Sequence, residues 1–223
     1  MCARYTIASP YDQILEQYAF EMEHPYQPNY NLAPTQLGYV VTSEAPTIIN
    51  QYHFGLVPHW AKDKKVAYSM LNARSETLME KTSFKPLMEK NKRCLVLADG
   101  FYEWETAGKE KLPYRFILPD RQVFAFAGLY SMWFDKLNNA WYKTYTILTT
   151  EPNGLVSKLH DRMPVILDKQ EETMWLSNDV PVNDLLAICD TFPDVEMDMY
   201  RVSKEVNKVI NNHERLILPE NSN

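Results

Sequence analysis

Cys2 is the first residue of the 223-residue chain whose position offers chemistry. A small second side chain is what removal of the initiator methionine tolerates, so the mature chain is expected to begin with cysteine. An N-terminal cysteine carries an amine and a thiol on adjacent carbons, with ordinary pKa values of about 7.7–8.0 and about 8.5. At neutral pH roughly a tenth of such an amine is uncharged and a few per cent of the thiol is thiolate. The pair can condense with an aldehyde to an imine, after which the sulfur closes on the same carbon to form a thiazolidine. The same residue can also act as a thiol nucleophile with its own amine as base.

Four further segments hold residues suited to assist. In Leu71-Asn72-Ala73-Arg74-Ser75-Glu76, an extended backbone would point Asn72 and Arg74 the same way. Asn72 could then hold a reacting group by two hydrogen bonds, and Arg74 suits a phosphate bidentately. In Asp99-Gly100-Phe101-Tyr102-Glu103-Trp104, Glu103 shares a strand face with Phe101. If that face is buried, desolvation raises the Glu103 pKa and fits it for acid–base work near neutral pH. In Leu159-His160-Asp161-Arg162-Met163-Pro164, His160 could shuttle a proton or polarise an aldehyde or ring oxygen, and Arg162 could meet a phosphate. Finally, a proline-stiffened loop presents Trp60 beside Lys62, Lys64 and Lys65, a pattern that suits base stacking with phosphate partners. Each segment also has a plain structural reading, as a loop anchor, an outward strand residue or a hydrogen-bonded turn.

The elements that must position these residues read as a single α+β domain with a strand-rich, open-barrel-like core and flanking helices. A first helix is expected from a Ser9 cap and Pro10 through Tyr11, Ile14, Leu15, Tyr18 and Met22, followed by a loop to Pro34. Strands are expected at residues 37–42, 47–54, 93–98, 101–105, 113–118, 123–130, 141–149, 163–167 and 196–202. Residues 75–88 read as a short helix and loop, Asp168 with Glu171 as a capping box for a helix through Leu176, and Asn183 as the start of another helix to about Cys189. The domain is expected to span residues 1–218, with 219–223 as a tail that frays from Glu220 onward.

Composition excludes several classes. The chain is 45% hydrophobic and 13% aromatic, which is not the composition of a disordered segment. No apolar run approaches the roughly 20 residues that cross a bilayer, and the first residues lack the apolar stretch of a secretory signal. A cytoplasmic protein without a membrane partner is therefore expected. Six glycines and no GxGxxG or P-loop pattern argue against a nucleotide cradle. Three cysteines without a CxxC pair exclude a four-cysteine zinc site and a disulfide framework, and the histidines and the Asp190–Asp198 acids lack metal-ligand spacing. No cofactor and no metal are expected. The net charge of −6 opposes non-specific nucleic-acid binding, so any DNA contact calls for a basic groove on an acidic body.

In their order along the chain, these motifs have a specific likeness. Cys2-x-Arg4-Tyr5, Tyr30-Asn31-Leu32-Ala33-Pro34-Thr35, Phe54-Gly55-Leu56-Val57-Pro58-His59-Trp60, Asn72-Ala73-Arg74-Ser75-Glu76-Thr77, Arg93 to Trp104 and His160-Asp161-Arg162-Met163-Pro164 follow one another. The chain resembles the SRAP family (SOS response-associated peptidase) from residue 2 to about Leu218. The resemblance implies that Met1 is removed and that Cys2 cross-links to the aldehyde of an abasic site in single-stranded DNA through a thiazolidine, shielding the lesion. It implies further that Asn72 orients the terminus and lesion, that Glu103 opens the sugar ring and aids imine formation, and that His160 assists proton transfer. Arg4, Arg74 and Arg162 match phosphate contacts, and Trp60 matches an aromatic wedge beside the DNA. A monomer without a cofactor is implied. Ala3 stands where the family usually has glycine, and Phe54 where tryptophan is common.

Two other functions fit the same residues. An N-terminal-nucleophile thiol peptidase would turn over peptides at Cys2. A non-catalytic single-strand binder would stack bases on aromatics and ignore Cys2.

Overall fold

The computed structural model describes residues 3–18 and 21–220. The chain opens with β1 (Tyr5–Ile7), α1 (Tyr11–Tyr18), β2 (Glu21–Met22) and β3 (Asn29–Leu32). A hairpin of β4 (Leu37–Thr42) and β5 (Ala45–Phe54) leads through a long loop to β6 (Asn72–Arg74) and α2 (Lys85–Glu89). Then come β7 (Arg93–Ala98), β8 (Gly100–Ala107), β9 (Glu110–Ile117), β10 (Phe124–Asp135) and β11 (Ala140–Thr150). The last third holds β12 (Met163–Pro164), β13 (Ile166–Leu167), α3 (Lys169–Leu176), α4 (Val182–Ala187) and β14 (Asp198–Arg201).

The larger sheet closes on itself. Strands β5, β4, β7, β10 and β11 pair antiparallel in that order. A parallel contact of Thr144 with His53 and Tyr145 with Phe54 then joins β11 back to β5. Gly38 shows which face is inside. A side chain there would collide with the hydroxyls of Tyr145 and Tyr5, which stand on strands that are not its neighbours. The two hydroxyls bond to each other in the space that Gly38 leaves. Around them Phe54 stacks on Tyr145 at 5.4 Å, and Tyr5 packs edge-on against Phe54 and Phe126 at 5.7 and 5.9 Å. Each of these buried rings contributes about 1.5–3 kcal/mol through apolar burial.

The second sheet, ordered β14-β9-β8-β1-β3, lies against the barrel. Phe101 of β8 faces the barrel core, packing on Phe116 at 4.9 Å and Phe126 at 6.1 Å. Tyr102, on the opposite face, packs in a small separate core with Val202, Val206 and Leu216.

The expected α+β, strand-rich core with flanking helices is what the chain builds, with differences at the edges. α1 is described over Tyr11–Tyr18, and the expected run to Met22 crosses residues 19 and 20, which lie outside the described residues. Glu21 and Met22 pair with Ile48 and Ile49 as β2 instead. Ser9 gives its hydroxyl and its backbone N–H to Asp99, at 3.0 and 2.6 Å. The loop expected up to Pro34 contains β3, which is a strand because β1 pairs with it. The strand expected at residues 163–167 splits at Val165, since β12 pairs with β11 whereas β13 pairs with β10. Glu220 is held: its N–H donates to the Arg201 carbonyl at 2.8 Å. The rest of the expected tail, residues 221–223, lies outside the described residues.

The capping box is as expected, with Asp168 and Glu171 each accepting the other's backbone N–H at 2.8 Å. No helix among the described residues is long and apolar enough to cross a membrane.

Candidate functional site

Three segments converge at the far end of β11. β6 pairs parallel with it, placing Asn72 opposite Ile147 and Arg74 opposite Thr149. β12 pairs antiparallel on the other side, with Pro164 opposite Thr149 and Met163 opposite Thr150. The turn before β12 carries His160, Asp161 and Arg162. A bidentate contact ties the segments together: the Arg162 guanidinium donates to both carboxylate oxygens of Glu76, at 2.6 and 2.8 Å, and to the Thr149 carbonyl at 2.7 Å. Asn72, half-buried, donates to the Ile147 carbonyl at 3.5 Å, and Arg74, two residues on, is exposed. The alternation expected for an extended stretch is present, with Ala73 buried between them.

His160 is fixed by its own turn. Its N–H donates to the Val156 carbonyl at 3.0 Å, and its Nδ1 accepts the Arg162 N–H at 3.0 Å. An Nδ1 used as acceptor leaves the ring proton on Nε2 in the neutral form. Burial lowers the His160 pKa, which favours that neutral form. Asp161 Oδ1 also lies 3.0 Å from Nδ1, ready to receive its proton once the ring is charged.

Glu103 comes from the other sheet. It shares the Phe101 face of β8, is 4% exposed, and its pKa is pushed up to about 7 by burial, with the Asp161 carboxylate adding to the shift. That electrostatic influence of Asp161 links Glu103 to the His160 turn. β1 runs alongside β8 with Tyr5 opposite Phe101, and the Tyr102 N–H donates to the Arg4 carbonyl at 2.9 Å. Continued by one residue, the antiparallel register sets Ala3 beside Glu103. Met1 and Cys2 lie outside the described residues.

The other cysteines are no rivals as nucleophiles. Cys94 and Cys189 are buried free thiols; burial raises the pKa of Cys94 and pushes Cys189 up to about 12.

The four positions expected at a DNA backbone divide into two kinds. Trp60 is 56% exposed, and its loop is anchored by the Trp133 indole N–H donating to the Ala61 carbonyl at 2.8 Å. Arg74 is exposed, as are Lys62, Lys64 and Lys65. Lys64 lies 3.9 Å from the Asp135 carboxylate, whereas Arg4 and Arg162 are tied in by hydrogen bonds. Arg4 donates to Asn31 Oδ1 at 2.7 Å and to the Val206 carbonyl at 3.0 Å, and it lies over Trp104 at 5.8 Å. Trp104 belongs to the face of β8 opposite Glu103, so Arg4 is not brought to the Glu103 side. A phosphate at either guanidinium would compete with Asn31 or Glu76.

Sequence reasoning gave Glu76 no role, because its partner is 86 residues away. Asn31 was missed likewise: its amide N–H groups reach the Val206, Lys208 and Asn211 carbonyls at 3.2, 3.1 and 2.9 Å, holding the C-terminal segment on β3. Among the described residues no three of His, Cys, Asp and Glu converge to hold a metal ion.

A family description, SOS response associated peptidase (SRAP), matches residues 1–209. The chain belongs to that family. It is 42% identical over 224 residues to the abasic site processing protein YoqW of Bacillus subtilis, covering 97% of this chain and 99% of the relative. It is 31% identical to the abasic site processing protein HMCES of Xenopus tropicalis, covering 84% of this chain and 64% of that protein. A crystal structure of a Bacteroides thetaiotaomicron protein has the same SRAP fold, with a TM-score of 0.82 at 27% identity, over 92% of this chain and 93% of that one.

Proposed function

We propose that this SRAP chain processes abasic sites in single-stranded DNA by a covalent cross-link through Cys2. The observation that carries the reading is Glu103, a buried carboxyl whose pKa lies near neutrality, on the strand beside the chain's start and under the influence of the His160 turn. The names of its relatives, abasic site processing proteins, support the same substrate.

The chemistry follows from the groups. Met1 is first released by hydrolysis, freeing the Cys2 amine. An abasic sugar is mostly a closed hemiacetal, so Glu103 in its protonated form assists ring opening by moving a proton between the hemiacetal oxygens. The Cys2 amine adds to the exposed aldehyde and water leaves, giving an imine. The Cys2 sulfur then attacks the imine carbon, its proton passes to the nitrogen, and the thiazolidine is closed; the net loss is one water. A positioned acid of this kind accelerates such steps by about 10²–10⁴-fold. Neutral His160, with its proton on Nε2, shuttles protons to and from the lesion. Asn72 orients the terminus and the sugar, while Arg74 and Trp60 meet the strand on either side.

Incubation with single-stranded DNA from which one uracil has been excised is expected to give a heat- and detergent-stable adduct, with a 1:1 intact mass lacking Met1. Cys2→Ala should give none; equal cross-linking by that variant would sink the proposal. The family's description as a peptidase favours a second reading, turnover of added peptides at Cys2. Hydrolysis of a peptide library by wild type, lost in Cys2→Ala, would support it.

A further inference from the structure

Away from the Glu103 side, a cavity of about 650 Å³ opens between the β2–β3 loop, the β3–β4 turn and β5. Its polar lining is mostly side-chain amides, among them Gln27, Asn29, Gln36, Gln51 and Asn212, with two histidines, His24 and His53, and among the described residues no Asp, Glu, Lys or Arg lines it. Several of these groups are already oriented. Gln36 Oε1 accepts the Ala33 N–H at 3.0 Å and the Asn29 amide at 3.3 Å, which leaves the Gln36 NH₂ as a donor. Asn212 Oδ1 accepts the Tyr30 N–H at 2.8 Å, leaving its NH₂ likewise. His53 Nδ1 faces the Thr35 carbonyl at 2.9 Å, which sets that nitrogen as donor and Nε2 as acceptor.

The lining selects the ligand's chemistry. A phosphate or carboxylate would find no lysine or arginine, and a purely apolar guest would leave several amides without partners, at about 1–3 kcal/mol each. What matches is a neutral, planar molecule with several donors and acceptors on its edge, and side-chain amides are the usual readers of base edges. The position agrees. The cavity adjoins the loop that carries Trp60, because β5 runs from His53 directly into it and Thr35 N–H bonds to the Phe54 carbonyl at 2.7 Å. The His53 ring stacks on Tyr142 at 4.2 Å, and Lys64 stands 5.7 Å over that same tyrosine ring.

We infer that this cavity is a nucleobase-binding subsite, read by Gln36, Gln51, Asn212 and His53, with Lys64 meeting an adjoining phosphate. It deepens, and rests on, the reading of the chain as a single-stranded DNA protein, by giving a base of the bound strand a place to sit.

The test uses the full chain carrying Cys2→Ala, so that no aldehyde chemistry contributes. Side-chain amide NMR signals of Gln36, Gln51 and Asn212 are followed against the four deoxynucleosides, the four homotetranucleotides and N-acetylglycinamide. At least one base is expected to shift those signals. Gln51→Leu should weaken its binding at least tenfold. So should Gln36→Glu, which keeps the acceptor toward Ala33 but removes the donor. A tetranucleotide that binds tenfold more tightly than its nucleoside assigns the site to a strand; equal affinity assigns it to a free nucleoside, and both keep the nucleobase assignment. The inference is overturned if no base shifts these signals, if N-acetylglycinamide alone does, or if both variants bind like the parent. Cross-linking plays no part in the readout, so its failure would count against the covalent reading and leave this one standing.

Discussion

Asp99 and Glu103 flank the start of one strand and are almost equally buried, at 7% and 4% exposure, yet the protein treats them oppositely. Asp99 is surrounded by donors: the Thr6 hydroxyl, the Ala8 and Ser9 N–H groups, the Ser9 hydroxyl and the Arg115 guanidinium, the last at 3.0 Å. Such a carboxylate is a structural knot, joining β1, the loop after it and β9 at the foot of β8. Glu103 instead sits where burial dominates and the nearby Asp161 carboxylate makes ionisation harder still. Burial alone therefore does not mark a catalytic acid. What distinguishes the two is the company: Asp99 is gathered in by donors from three segments, whereas at Glu103 burial, with the Asp161 carboxylate adding to it, holds a proton on.

The largest expected effect comes from the structural member of the pair. Asp99→Ala takes the carboxylate from the buried Arg115 guanidinium, which keeps the neutral Tyr200 and Thr6 hydroxyls and a backbone carbonyl but no counter-charge, and removing one partner of a buried ion pair costs about 3–5 kcal/mol. Denaturant unfolding should show that loss, while cross-linking per folded molecule stays close to wild type. A variant as stable as the parent would show that Asp99 does not hold the fold.

Glu103→Gln is expected to do the reverse. Cross-linking should slow by about 10²-fold. Its effect on stability has the opposite sign to that of Asp99→Ala. With its folded pKa raised from the ordinary carboxylate range to about 7, Glu103 keeps its proton in the native state after the unfolded chain has lost it. Wild-type stability therefore falls as pH rises through that window and is lowest above 7. Glutamine has no proton to lose, so the variant should equal wild type near pH 4 and exceed it by up to about 3 kcal/mol at pH 8. The rate advantage of wild type over the variant should likewise shrink as pH rises through 7, since the acid form is then depleted. Thermal melts at the two pH values and single-turnover cross-linking across the range measure both.

The contrast between these carboxylates was only half legible in the sequence. That Glu103 shares a face with Phe101 follows from strand alternation, and the structure buries both. The donors around Asp99 come from β1, the loop after it and β9, and no local pattern announces such a gathering. The same divide runs through the fold. β7 spans Arg93–Ala98 and α3 begins at its capping box, as expected, because a run of apolar residues and a cap are local signals. β1 and β3 are strands only through pairing, at three and four residues too short for alternation to show. β2 likewise exists because β5 offers it an edge. At the candidate site Asn72 and His160 stand out by type and motif, whereas the bond that links their segments joins residues far apart in sequence.

The Arg162–Glu76 bond holds those two segments together. Glu76 is 44% exposed at its side chain and Arg162 10%, so the pair stands between the fully buried Asp99–Arg115 contact and an ordinary surface ion pair. The Arg162 guanidinium holds the Glu76 carboxyl below its usual range, so the contribution is present above the ordinary carboxylate pKa and is lost as pH falls through the lowered value. Glu76→Gln keeps the shape but removes the charge. Discounted for solvent screening, its cost should be about 1 kcal/mol at pH 7 and vanish in acid. If Glu76 belongs with Asp99, cross-linking per folded molecule will stay within about twofold of wild type, the outcome expected of a residue that only fixes the turn through Arg162. A loss of tenfold or more with stability intact would place it with Glu103 instead, and the line drawn here between carboxylates that hold the fold and those that move protons would have to be drawn through the His160 turn.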